Sequence, residues 1–185
     1  MLAPAMKGPG SRPRVDFVVV HENSEEIELA IETKWASSST SLVRDIVRDI
    51  IRLELLAEKG ALAVLVLGGR RKDIEKIKNS PLWARHPAHE SSKPLLPEYE
   101  GRSRRTLILE NPAGYRKKLI QSACADFEGI QIPSVVHVQA IKPPTVERAG
   151  DYQMLAWQIF SAPSRTSFLP VPQIKKKRKR SSVEA

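Results

Sequence analysis

Asp16, Glu32 and Lys34 are the residues of this chain whose types and spacing best suit a reaction. Glu32 and Lys34 stand two apart in the alternating run IELAIETKW, so on a strand their side chains leave the same face. Asp16 lies within VDFVVV, where a lone carboxylate is costly unless it has a partner. If the two runs pair across the polar turn HENSEE, Asp16 can approach Glu32 and Lys34. Two carboxylates and an ammonium suit phosphodiester hydrolysis. Mg²⁺, or Mn²⁺ in its place, takes hard oxygen ligands, typically one or two carboxylates with waters and a substrate phosphate. Asp16 and Glu32 supply carboxylates, and the backbone carbonyl of Thr33 supplies a third oxygen. Such a metal polarises the phosphate and lowers the pKa of a bound water. Lys34 orients that water or offsets negative charge building at phosphorus.

The elements that position these residues follow from periodicity. Val15 to His21 is β-branched and Ile27 to Trp35 alternates, which predicts an antiparallel hairpin. Ile27, Leu29, Ile31, Thr33 and Trp35 are the expected core face, with Glu28, Ala30, Glu32 and Lys34 opposite. Ser37 to Ser41 offers N-cap candidates. A helix over 42–58 is then read from Leu42, Val43, Ile46, Val47, Ile50, Leu53 and Leu56, with Gly60 as its stop. On it, Arg44, Arg48 and Arg52 with the interleaved Asp45 and Asp49 read as a solvated face of helical ion pairs. The apolar run over 61–67 predicts a strand covered on both faces, and a short charged helix follows over 71–79. Gly68-Gly69 lacks any phosphate-binding spacing.

Asp16, fifteen residues, then Glu32-Thr33-Lys34 resembles the D…(D/E)-x-K signature of the PD-(D/E)XK nuclease superfamily. The strand, strand, helix, strand order over roughly residues 14–80 agrees with that superfamily's core. The resemblance implies an α/β fold with a mixed central β-sheet flanked by helices, the restriction-endonuclease-like core. It also implies metal ligation by Asp16 and Glu32, a catalytic Lys34, and hydrolysis of nucleic acid, DNA in the first instance. A dimer is expected if both strands are cut. Two departures stand out. Val15 occupies the place of the motif's Pro, and only about a dozen residues precede the first strand, so the superfamily's opening helix and strand are expected to be missing. Such a loss also makes room for an alternative, a catalytically inactive nucleic-acid-binding protein of the same fold.

The rest of the chain bounds these readings. At 185 residues it is long enough for one domain with its own core. The expected organisation is a lead-in over 1–13 rich in Gly and Pro and read as disordered, one domain over 14–170, and a disordered basic tail over 171–185. Within the domain, 80–103 reads as a Pro-rich loop holding the surface histidines His86 and His89. An extension over 104–162 reads as a strand at Thr106–Leu109, a helix at Pro112–Phe127, and strands at Ser134–Ile141 and Tyr152–Phe160. Net charge is +9. Lys175, Lys176, Lys177, Arg178, Lys179 and Arg180 contribute six positive charges and Glu184 subtracts one, so without the last eleven residues the charge is 9 − 5 = +4. That tail fits phosphate contact, or a nuclear-import signal in a eukaryotic cell; otherwise the expected compartment is the cytoplasm. The single cysteine, Cys124, excludes an intrachain disulfide and reads as a core residue. The longest apolar run, Ala61–Leu67, is far short of the roughly 18 residues of a membrane span.

Overall fold

A computed structural model describes residues 15–36, 41–83, 94–96, 104–142 and 150–170. The lead-in, the hydroxyl residues before Ser41, His86, His89, the Pro143-Pro144 turn and the basic tail lie outside the described residues.

The hairpin forms as its alternation predicts. β1 (Phe17–Val20) pairs antiparallel with β2 (Ile27–Trp35) across the polar turn. Helix α1 (Leu42–Ala57) then carries the chain over the sheet to β3 (Leu62–Arg70), which runs parallel to β2. The later strands extend the same sheet. β4 (Arg104–Ile108), β6 (Val135–Ala140) and β7 (Tyr152–Phe160) complete a mixed six-stranded sheet ordered β1-β2-β3-β7-β6-β4. β5 (Ile132–Pro133) and β8 (Ser167–Phe168) pair separately. Two more helices, α2 (Arg71–Lys78) and α3 (Lys117–Cys124), make the fold α/β.

Three expectations about elements are corrected. The helix expected from Pro112 begins later, as a 3₁₀ turn at Gly114–Arg116 before α3: Ala113 is extended (φ −111°, ψ 168°) and Gly114 is left-handed (φ 68°), so no α-helix runs on from Pro112. β3 continues through Gly68 and Gly69 to Arg70. Parallel β2 and its exit press on those glycines: a Cβ on Gly69 would lie 2.5 Å from Cβ of Ala36, and one on Gly68 would touch the Trp35 ring. Ser41 precedes α1 without a side-chain capping bond.

A further correction concerns the sheet's two faces. The buried face is that of Ala30 and Glu32 on β2, Ala63, Leu65 and Leu67 on β3, and Leu155, Trp157 and Ile159 on β7. Helix α1 lies on it, sealing it with Leu42, Ile46, Ile50 and Leu53. The Ile27–Trp35 face, read as core, is instead the more open one: Trp35 is 61% exposed and Leu62 of the neighbouring strand is also exposed. Either face of an alternating strand can be covered, and here the crossover helix takes the one bearing the charges. β3 is correspondingly buried on one face and half-exposed on the other, rather than covered on both.

Helix α1 also carries two buried carboxylates. Glu54 is fully buried, and its Oε1 accepts bonds from Ser161 Oγ (2.9 Å) and Arg165 Nε (3.1 Å), which ties the segment after β7 to the helix. Asp49, also fully buried, belongs to the site described next. Cys124 is buried on α3, and desolvation pushes its thiol up to about 12, leaving it a protonated core group. No helix among the described residues is long and apolar enough to cross a membrane.

Candidate active site

Asp16 immediately precedes β1, and the hairpin register decides its position. Phe17 lies opposite Ile31, so one step further places Asp16 level with Glu32. There the ladder has ended, and β2 presents open backbone groups at Thr33. Asp16 Oδ2 accepts both the Thr33 N–H (2.7 Å) and the Thr33 hydroxyl (2.7 Å). Asp16 is exposed rather than buried, so its partners serve position more than desolvation. Desolvation is the largest single influence and works against its charge, but the two Thr33 bonds and the nearby Lys34 charge together outweigh it and hold its carboxyl below the usual range. A residue's N–H and C=O leave a strand toward the same side. The Thr33 carbonyl therefore opens on the edge that Asp16 occupies, and Lys34 Nζ approaches it at 3.3 Å.

Glu32 faces the opposite situation. It is 1% exposed beneath α1. Desolvation, then the charge of Asp49, push its carboxyl up to about 7, against the opposing pull of Lys34 and Arg52. Its Oε1 is buried and accepts no hydrogen bond among the described residues. Arg52 Nη1 stands 3.8 Å from that oxygen, and Lys34 Nζ 3.9 Å from Oε2. These are Coulombic contacts beyond hydrogen-bond length.

Lys34 is held from above. Its Nζ lies 2.6 Å from Oδ2 of Asp49, whose Oδ1 is 3.1 Å from Arg52 Nη1. Arg48 Nε completes the ring at 3.8 Å. The helical charges are thus no solvated face. Arg44 pairs with Asp126 in the 3₁₀ turn that follows α3, Arg48 with Asp45 and Asp126, and Arg52 with the site itself. Asp49 is the functional candidate that charge patterning alone passes over. Its signal is positional: Leu42, Ile46, Asp49, Leu53 and Leu56 are spaced 4, 3, 4, 3, so Asp49 occupies the apolar seam of α1. A carboxylate in that seam must face the core.

The three residues singled out in the sequence therefore come to one end of the hairpin, with Asp49 added from α1. By type, two carboxylates and a carbonyl are oxygens that a divalent cation takes, and Asp16, Glu32 with its unbonded buried oxygen and the edge carbonyl of Thr33 are of these types. No cluster of three or more His, Cys, Asp or Glu side chains suited to a metal is found among the described residues. Lys175 to Arg180 lie outside the described residues; Lys117 and Lys118 on α3 are exposed, while Arg116 is half-buried against the Pro81 carbonyl and the Tyr115 ring. No protein-family model, curated protein or solved structure matches the chain.

Proposed function

We propose that the chain is a metal-dependent nuclease of the PD-(D/E)XK type, acting on nucleic acid, DNA in the first instance. One observation carries the reading: Asp16 Oδ2 is bonded to the Thr33 N–H and hydroxyl, which draws its carboxylate to the Glu32-Thr33-Lys34 run. The antiparallel hairpin, crossover helix and parallel third strand support it, since they follow the order that the signature implies. Asp49 on α1 supports it further, as a buried acidic residue close to Lys34.

Asp16, Glu32 and the Thr33 carbonyl would hold Mg²⁺ or Mn²⁺, which when bound supplies Lewis-acid polarisation of the phosphate and an acidified water. Glu32 must give up its proton to serve as a ligand, and the adjacent Lys34 and Arg52 favour that ionised form. Lys34 then carries the positive charge that faces the reacting phosphate, and Asp49 keeps its ammonium pointed along the site. Arg52, bridging Glu32 and Asp49, maintains the spacing of the two buried acids.

The test is cleavage of plasmid, linear and single-stranded substrates with Mg²⁺ or Mn²⁺, with EDTA as control. Turnover is expected with metal and not with EDTA, and Lys34→Ala is expected to lower it by about 100-fold or more while sparing binding. A Lys34→Ala protein that cuts as fast as wild type overturns the reading. Salt-sensitive binding with no cleavage under any metal assigns the fold to the inactive alternative.

A further inference from the structure

The open face of the sheet has an end of distinct chemistry. Residues directly opposite one another in a sheet share a face. Trp35 pairs with Gly68, Gly68 with Met154, and Arg70 with Tyr152, so these side chains stand together on the side away from α1. Trp35 (61% exposed) and Tyr152 (49%) lie with ring centroids 5.9 Å apart, tilted by 46°. The indole rests over Gly68, where a Cβ would already be in contact at 3.4 Å. Arg70, opposite Tyr152, and the Arg71 and Lys72 that follow it in the chain are exposed and make no ion pair among the described residues, with Asp151 the exposed acid adjoining them. Further along the same face, the guanidinium of Arg104 stacks 4.0 Å over Phe160, so this surface already receives a flat cation on an aromatic ring.

We propose that the Trp35–Tyr152 end of this face binds single-stranded nucleic acid, with bases stacked on the two rings and phosphates met by Arg70, Arg71 and Lys72. Interleaving decides the class of partner. Protein–protein interfaces also gather Trp, Tyr, Met and Arg but are depleted of Lys and of charge at their core, whereas two rings beside three successive cations, unpaired among the described residues, match a strand that alternates flat bases with phosphates. A duplex keeps its bases stacked on each other and cannot offer them to an indole, so the partner is single-stranded. The inference rests on the nuclease reading only for its choice of nucleic acid. Lys34 and Trp35 adjoin on β2 and project from opposite faces of the same strand end, which places the platform at the end of the sheet that holds the candidate active site.

The tryptophans provide a direct readout. Trp83 and Trp157 are buried against each other at 5.8 Å, leaving Trp35 as the exposed indole of the three. Full-length protein titrated with oligo(dT) in EDTA is expected to show saturable quenching of its emission. By anisotropy of labelled oligo(dT), Trp35→Leu and Tyr152→Leu are each expected to weaken binding by about 10-fold. Arg70→Gln is expected to reduce the salt slope by about 0.7, the value for one phosphate contact on a single strand. No quenching by oligo(dT), or wild-type affinity in both ring variants, overturns the proposal. So does a dimer that Trp35→Leu breaks without altering oligo(dT) affinity, because the face then belongs to a second copy. The two readings separate cleanly. Metal-dependent cleavage without quenching removes the platform and keeps the nuclease, and quenching without cleavage under any metal does the reverse.

Discussion

Lys34 Nζ lies 2.6 Å from Oδ2 of Asp49, an ion pair that ties the strand carrying the candidate catalytic lysine to the helix directly following it. Asp49 is fully buried, and its other oxygen meets Arg52. A buried acid between two cations is costly to lose, because its partners are then left uncompensated.

Asp49 therefore acts as a positioning residue, and two variants separate its roles. Asp49→Ala is expected to destabilise the fold by about 3–5 kcal/mol, as broken buried ion pairs do. The isosteric Asp49→Asn keeps the volume and is expected to cost less stability, yet to lower turnover by roughly 10-fold or more with substrate binding nearly unchanged. Urea denaturation and steady-state kinetics provide the measurements. Wild-type turnover in Asp49→Asn would show that Lys34 needs no such support.

Glu32 gives the protein a pH signature. Its carboxyl sits at about 7 in the fold against a reference of 4.5. Below pH 4.5 both states are protonated and the group contributes no difference. Between 4.5 and 7 the unfolded chain ionises while the native site keeps its proton, so stability falls as pH rises. Above pH 7 the loss levels off, on the order of 3 kcal/mol. In EDTA, the stability difference between Glu32→Gln and wild type is expected to grow from pH 5 to pH 8 in favour of the variant. Asp49→Asn, by removing the neighbouring charge that raises Glu32, is expected to move the transition to lower pH. Identical pH profiles for wild type and Glu32→Gln would contradict this.

Gly69 is expected to be intolerant of any side chain. A Cβ there would lie 2.5 Å from Cβ of Ala36 and 3.3 Å from its backbone, neither of which can rotate away. Gly69→Ala should cost about 1–3 kcal/mol, while Gly68→Ala, against the Trp35 ring at 3.4 Å, should cost less. Chemical denaturation of both variants checks the order, and an equal or reversed effect would place the strain elsewhere.

The hairpin, α1 and the two long strands β3 and β7 were legible because each is a local pattern. β-branched alternation, an apolar seam with a Gly stop and an uninterrupted apolar run all report short-range preferences. α3 was less legible: Pro112 suggests a helix start, but the extended Ala113 and left-handed Gly114 delay it. The shared face of Glu32 and Lys34 also followed from alternation alone. Their cover did not. The apolar content of Ile27, Leu29 and Ile31 points to one face as core, yet α1 lies on the other.

By itself, then, the sequence determined which residues share a strand, a face or a helical seam, since those relations depend on backbone periods of 2 and 3.6 residues. Only the tertiary structure decided which face α1 covers, that Asp49 meets Lys34, and that Asp16 closes on Thr33. Those contacts join different elements, and they depend on strand register and on the side taken by a crossover helix. No local period encodes either. The same choice of side buries Glu32 and leaves Trp35 in the open.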